Sequence, residues 1–413
     1  MTDQQACAPM MVGVGSQPRF SKIKRQLSKL KVVIISHTFA TGPTQELETF
    51  LYDKVLKLAF IGHPFSYSKT LRSSMKICNE GVHVKTITTF EIRGPELLLY
   101  AKDFVASLLF VIKTGDRFHL CIAADPLNTF AGLVLRAIGF VQKVIFYPMD
   151  YVPLRFKNNL LNRIYHMLDN ICVTRSDFTW NPSEAMITAR KMKLPKKDKL
   201  SPQIITPGGA HFERIEKFSI EEIDRHNMVF LGHVREGHGL KLVIETIPQL
   251  LHTVPDLTLT IIGDGPLKIK LEQMVSDLEI KDHVKFLGYV EDHKKIERII
   301  AKCAFGLAIY EPTKESFSWY GDPGKVKQYA ACGLPTIITR VPRFALEVER
   351  RNMGIVINYN QDEFFHAALK LLMDDDNMRE QKRNALSFAS QYSWETVYYE
   401  ALEKSLSRTG IRR

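Results

Sequence analysis

The chain is poor in several features that would tie it to particular protein classes. It has six cysteines in 413 residues, at Cys7, Cys78, Cys121, Cys172, Cys303 and Cys332, with no CxxC spacing. That distribution excludes a disulfide framework or a cysteine-rich zinc site and predicts packed, reduced thiols of a cytosolic protein. No uncharged apolar run reaches the ~18 residues that a membrane span needs. The opening stretch MTDQQACAPMMVGVGSQPRF has neither an early cation cluster nor a long apolar core, so no signal peptide is expected. The GxGxxG dinucleotide fingerprint is missing, as is any short-period repeat. No basic helix with interleaved aromatics is present, so nucleic acid is not an expected partner.

Positive charge, by contrast, is plentiful and unevenly placed. The formal net charge is +11, with 45% apolar and 24% charged residues. Residues 1–31 carry six Lys/Arg against one acid, and residues 151–200 carry ten against four, which together equal the whole excess. A clustered basic surface suits phosphorylated ligands or anionic lipid headgroups, and equally a solvated face. The segment FSKIKRQLSKLK (Phe20–Lys31) is short, basic and partly amphipathic, as a helix lying on an anionic membrane or a solubilising tail would be.

Apolar β-branched runs alternate with helical periods along most of the chain. KVVIISHT, LAFIGHPF, VKTITTF, HLCIAAD, KVIFYPMD, ICVTRS and QIITPGG read as strands of a first series, with helices from Thr44, over Pro95–Thr114, Leu127–Ile138 and Asn158–Asn170. After a break near Pro207–Asn227 the pattern restarts with MVFLGHV, LTLTIIGDGP, VKFLGYV, FGLAIY, TIIT and GIVIN. Such alternation predicts parallel sheets covered on both faces. The expected fold is α/β, with two facing, Rossmann-like, doubly wound domains and ligands bound beyond the carboxyl ends of the strands. The expected boundaries are a basic tail over 1–30, a first domain over 31–207, a second over 208–391, and a helix over 392–408 crossing back to the first.

The loops at strand ends carry the chemistry. FLGHVREGHGLKLVIE (Phe230–Glu245) is a strand, then a loop bearing Gly232, His233, Arg235, Gly237, His238 and Gly239, then a helix. IIGDGPLKIKLE places Gly263 and Gly265 at another strand-to-helix turn, where backbone can approach closely. In GDPGKVKQYAACGLPTIIT, Pro323 and Gly324 open a helix with Lys325 in its first turn and Gln328 on the same face. A diphosphate at that N-terminus gains from the helix dipole and from Lys325. YPMDY places Asp150 at a strand end, able to bond sugar hydroxyls or to cap a turn.

Taken in order, these loops resemble the retaining nucleotide-sugar glycosyltransferases of the GT-B fold (glycosyltransferase family four, group 1 type). The resemblance runs from about Lys31 to Arg408 and is most specific over 229–340. It implies a nucleoside-diphosphate sugar held mainly by the second domain and a glycan or lipid-linked acceptor held by the first. It implies a hexosyl transfer with retained configuration, no metal and no cofactor beyond the donor substrate. Two places where the family usually carries Arg and Lys read His233 and His238, so Arg235 is left to replace one of them. Gln328 stands where a Glu usually meets the ribose. Glu315 fits the preceding Glu only with an insertion before Pro323. Asp150 falls near the family's sugar-contacting His. Carried over in the same way are Gly288, Tyr289, Val290 and Asp322 on the donor side, and Gly42, Asp125 and Asn128 on the acceptor side. Asp150, Arg235, Lys325 and Glu315 form the expected catalytic set. A further expectation is that donor affinity rises from about pH 8 to 6 if His233 or His238 titrates. The substitutions at 233, 238 and 328 also fit a non-catalytic sugar-nucleotide binder, and the two-domain fold fits a nucleotide-sugar epimerase. The expected location is cytoplasmic, peripheral on the inner face of a membrane.

Overall fold

A computed structural model describes residues 20–38, 42–66, 68, 70–156, 158–194, 199–313 and 317–407. Among these, two sheets account for the strands. The first contains β1 (Lys31–Thr38), β2 (Lys57–Pro64), β3 (Ser74–Asn79), β4 (Val82–Thr88), β5 (Phe118–Ala123), β6 (Val141–Phe146), β7 (Phe178–Asn181) and β8 (Gln203–Ile205), ordered 4-3-2-1-5-6-7-8. Its helices are α1 (Ser21–Leu27), α2 (Pro43–Leu51), α3 (Glu96–Thr114), α4 (Pro126–Ala137), α5 (Asn159–Arg175) and α6 (Glu184–Lys193).

The second sheet contains β9 (Asp224–Leu231), β10 (Thr258–Ile262), β11 (Val284–Gly288), β12 (Cys303–Ala308), β13 (Thr336–Thr339) and β14 (Gly354–Ile357), ordered 11-10-9-12-13-14 and parallel throughout. Around it lie α7 (Leu240–Leu251), α8 (Lys268–Asp277), α9 (His293–Ala301), α10 (Gly324–Ala331), α11 (Ala345–Arg350), α12 (Gln361–Met373) and α13 (Asp375–Ala389). The last helix, α14 (Trp394–Ser407), returns to the first half.

The central strands of both sheets are buried on both faces, which explains their unbroken apolar runs, while the edge strand β4 is largely exposed. In β1, Val32 and Ile34 face one core with α1, α2 and α14, while Val33 and Ile35 face another with α3 and α5. The period of two thus assigns each helix to a face of the sheet.

Three expectations are corrected. ICVTRS (Ile171–Ser176) is not a strand: Ile171–Arg175 form the last turn and more of α5, with Cys172 and Val173 buried against the sheet. A short apolar run reads alike as strand or buried helix, and the packing decided. The first sheet is not wholly parallel, because β3 pairs antiparallel with both β2 and β4, reaching β4 through a turn at Glu80 and Gly81, both at positive φ. Finally, residues 20–30 are not a tail. Phe20, Ile23 and Leu27 are buried, and Phe20 stacks on Tyr399 at 4.9 Å. The apolar face of α1 is therefore occupied by the protein itself, although Lys22, Lys24 and Arg25 stay exposed. Residues 1–19 lie outside the described residues.

The chain passes between the halves twice, side by side. Ala210 bridges Ser393, and its N–H donates to the Tyr392 carbonyl at 3.0 Å. Gly209 lies against Trp394, where a Cβ would sit 2.8 Å from the indole. Beyond this crossing, α14 packs into the first core through Val397, Tyr398, Ala401 and Leu402, and Trp180 donates to Ser405 Oγ at 2.9 Å. The loop before α10 meets strand ends of the first half: Tyr320 packs edge-on to Tyr151 at 5.5 Å, and its carbonyl accepts from Ser183 Oγ. The carboxyl ends of the two sheets therefore face one another.

Candidate donor and acceptor sites

At the ends of β9, β10 and β11 the backbone chains touch. Gly232 N–H donates to Ile262 O at 2.9 Å, Gly263 N–H to Gly288 O at 2.8 Å, and Val234 N–H to Asp264 O at 2.9 Å. At Gly263, φ is +134° and a Cβ would lie 1.9 Å from the Gly232 carbonyl oxygen. No side chain fits there. Gly265 is equally tight, 2.3 Å from Val234 O. Gly239 begins α7 and lies against Ile309. Tyr329, buried on α10, ties this floor together by accepting from Leu231 N–H at 2.7 Å and donating to Leu307 O at 3.2 Å.

Lys325 reaches into this floor from the first turn of α10. Its Nζ lies 4.0 Å over the Phe230 ring and 5.4 Å from the Tyr310 ring, next to Gly232. Among the described residues no carboxylate or hydrogen-bond acceptor engages it. Burial, then the nearby Arg235 charge, pulls its pKa down to about 7. The aromatic faces offset part of that desolvation. Pro323 caps α10 and is buried, while Gly324 is exposed with open space around it.

His238 is buried and neutral. Its Nδ1 donates to His233 O at 2.7 Å, which leaves Nε2 to accept from Arg235 Nε at 3.3 Å. Burial and the Lys325 and Arg235 charges lower its pKa to about 3. The expectation that His238 titrates between pH 8 and 6 is therefore corrected: two cations flank it, and no carboxylate among the described residues offsets them. His233 is exposed. The charge of the loop rests on Lys325 and Arg235.

The other expected donor residues have these surroundings. Asp322, expected on the donor side, links the end of the first half to α10. Its buried Oδ2 accepts from Gly208 N–H at 2.7 Å and pairs with the buried Lys327 ammonium. Gln328 turns along its helix toward Cys332 Sγ, 3.9 Å away. Gly288 ends β11, Tyr289 is exposed, and Val290 packs partly into the second core. Glu315 lies outside the described residues.

In the first half, Asp125 caps α4 by accepting from Asn128 N–H at 3.0 Å and from Asn128 Nδ2 at 2.7 Å. It holds a positive φ of 62°, a conformation that costs about 1–3 kcal/mol unless its surroundings enforce it. His37 Nδ1 donates to Asp125 Oδ2 at 2.8 Å. Asp103 lies 3.8 Å from His37 Nε2 and 3.3 Å from His63 Nδ1. Burial lowers the His37 pKa, but Asp125 and Asp103 more than offset this and raise it to about 9. His63 is fully buried, bonded to Ser73 and Ser107 hydroxyls, and lowered by desolvation. Asn128 Oδ1 has no partner among the described residues.

Asp150, expected at the cleft rim, pairs with Arg155 at 2.8 Å. Gly42 opens α2, where its carbonyl accepts from Gln45 and Glu46 N–H. His37, His63 and Asp103 were not singled out from the sequence. Their available signal was two histidines ending adjacent buried strands, and the register indeed pairs His37 with His63.

The sequence and the fold have known counterparts. Residues 212–386 match the family described as Glycosyl transferases group 1. The chain is 26% identical over 198 residues to N-acetyl-alpha-D-glucosaminyl L-malate synthase of Bacillus anthracis, covering 45% of this chain and 48% of that protein. It is 26% identical to one of the phosphatidylinositol N-acetylglucosaminyltransferase proteins of Arabidopsis thaliana, over 45% of this chain and 41% of that one. The chain thus aligns with somewhat under half the length of these two relatives. Among solved structures, Anabaena HepE in complex with UDP superposes with a TM-score of 0.67 at 15% identity, over 92% of this chain and all of that one. Sucrose-phosphate synthase from Thermosynechococcus elongatus gives 0.69 at 14% identity, with 92% and 100% covered. The chain has the two-sheet GT-B architecture, and residues 212–386 of its second half match the group 1 glycosyl transferases family.

Proposed function

We propose that the protein is a hexosyltransferase that moves a sugar from a nucleoside-diphosphate sugar to a hydroxyl of a glycan or lipid-linked acceptor, with retention and without a metal. The observation that carries this reading is Lys325: a half-buried ammonium without a counter-anion among the described residues, at a helix N-terminus, over a floor of backbone that admits no side chains. Such a cradle suits a diphosphate. The bond from the sugar C1 to the diphosphate oxygen breaks while the acceptor oxygen bonds to C1 on the same face. The acceptor proton passes to the departing phosphoryl oxygen. Lys325, Arg235 and the α10 dipole stabilise the charge that develops there, a role a divalent cation fills in other transferases. Retention by this front-face route needs no carboxylate pair. The donor class is supported by HepE, solved with UDP and with UDP-glucose. A lipid-linked acceptor is supported by the phosphatidylinositol-specific name of the Arabidopsis relative. Among the described residues no helix is long and apolar enough to cross a membrane. We place the protein in the cytoplasm, peripheral on the membrane's inner face.

The test is a thermal-shift and calorimetric panel of nucleoside-diphosphate sugars, since a ligand of the native state raises its melting temperature. At least one member should bind, and Lys325→Ala should weaken it on the order of 100-fold while leaving the bare nucleoside unaffected. Equal losses for both ligands count against a phosphate contact. Turnover unaffected by chelator supports the metal-free route, and the anomeric configuration of the product tests retention. One observation favours a second reading, binding without turnover: Gln328 is turned toward Cys332. Donor binding with no transfer to any acceptor would select it.

A further inference from the structure

The first half carries a large exposed surface that the facing strand ends do not use. Helices α3, α4 and α5 lie side by side on one face of the first sheet, with α4 between the others. The opposite face is covered by α1, α2 and α14. Along the outside of α3, Leu97, Leu98, Ala101, Val105, Leu109 and Ile112 are all exposed, Leu97 to 65%. Together they make one stripe along the helix, about 24 Å long from Leu97 to Ile112 at 1.5 Å per residue. The cation beside the stripe, Lys102, turns inward to Asp103 and the Leu71 carbonyl. On α5, Leu160, Ile164 and Met167 continue the pattern, Met167 at 55% exposure.

Next to α5 runs a groove of about 1000 Å³. Arg163, Arg175, Lys193 and Lys199 line it, and among the described residues no carboxylate does. Two of the acids nearby are already paired: Asp169 is buried against Arg190, and Asp177 holds Arg136 and Lys143. Glu96, which accepts from the Tyr100 hydroxyl, and Glu184, 3.9 Å from Arg343, are exposed.

We infer that the outer face of α3 and α5 is a docking surface for an anionic phospholipid bilayer. An apolar stripe this long is unusual on a monomer's surface, and the cationic groove beside it supplies the second signal that stable anchoring requires. An acidic protein would answer the groove but leave the α3 stripe, on the far side of α4, unmatched. A bilayer offers headgroup charge and acyl chains across the whole width. This surface is distinct from α1, whose cations lie on the opposite face of the sheet and whose apolar residues are already buried. The inference rests on the peripheral-membrane part of the proposed function and locates its contact surface; it does not depend on the transfer reading. If the acceptor is lipid-linked, docking here presents the acceptor half to the membrane that holds it.

Vesicle flotation of the full chain tests this without any sugar nucleotide, so failure of the donor reading leaves the result interpretable. The chain should float with phosphatidylcholine vesicles containing phosphatidylglycerol and should float poorly with phosphatidylcholine alone. Raising the salt should weaken the interaction, because exposed charges are screened. Arg163→Glu/Arg175→Glu/Lys199→Glu should lower partitioning on the order of 100-fold. Val105→Asp/Leu109→Asp should remove the binding that survives high salt; Val105→Ser/Leu109→Ser serves if the acidic pair misfolds. Lys22→Glu/Arg25→Glu, on α1, should leave flotation unchanged. No flotation with anionic vesicles overturns the inference, as does loss of flotation in the α1 variant alone. It is also overturned if the α3 variants turn a dimer into a monomer while vesicle binding persists, since a second copy then occupies the face.

Discussion

The strand ends of the two halves meet the same cleft but are built by opposite means. In the second half, glycines let backbone cross backbone, and the Lys325 ammonium stands there without a carboxylate among the described residues. In the first half, side chains close the ends, and His37 is neutralised by Asp125 and Asp103. One surface is prepared for an incoming anion. The other is already satisfied in charge and offers hydrogen-bonding atoms, among them Asn128 Oδ1, which has no partner among the described residues. The difference teaches where binding energy is stored: in preorganised positive potential on one side, and in polar geometry on the other.

The comparison can be broken most severely at its glycines. Gly263→Ala would press a methyl onto the Gly232 carbonyl at positive φ, and we expect a loss of ~3 kcal/mol or more, read by urea unfolding, together with loss of donor binding. Next, Asp322→Asn should cost about 3 kcal/mol, because Lys327 would be left buried without its anion. A double variant with Lys327→Met should recover part of that loss; no recovery would show that the pair is not the cause.

A smaller effect is expected at His37. Its folded pKa, about 9, lies above the ordinary 6.5, so its contribution is complete below pH 6.5 and disappears as pH rises through 9. His37→Gln should therefore destabilise by ~2 kcal/mol at pH 6 and by much less at pH 10. The same loss at both pH values would mean that its charge is irrelevant.

Donor affinity should fall about tenfold per pH unit above 7, since a diphosphate binds the protonated Lys325, whose free pKa is about 7. The direction matches the expectation built on His233 or His238, but the titrating group is a lysine. Lys325→Arg should flatten the profile, and an unchanged slope would return the effect to another group. Smallest of all, Gly42→Ala in the first half should change stability by less than ~0.5 kcal/mol. Gly42 sits at φ −152°, and among the described residues a Cβ there would meet the Gln45 side chain.

Much of this molecule is legible in its sequence. The extent of α7 follows from its period of apolar residues, and Leu240–Leu251 is the observed helix. Two α/β series with a break between them correspond to the two sheets. The loop glycines could be located because close backbone approach demands them wherever they occur. Errors fell where local pattern is degenerate. ICVTRS is apolar and β-branched, yet it completes a helix because the surface it covers lies against β5 and β6.

The charges of the site belong to the second kind of information. That His238 is neutral depends on Arg235 and Lys325 reaching it from different elements. That Asp322 is a tie depends on Gly208, more than a hundred residues away in the chain. Whether α1 is a membrane helix or part of the core depends on Tyr399 near the other end of the sequence. By itself, then, the sequence determined the periodicities, the glycine hinges and the inventory of charges, because these are local properties of the chain. The tertiary structure alone decided which charges are paired, buried or left facing the cleft, because desolvation and Coulomb energy depend on distance in space and not on separation along the sequence.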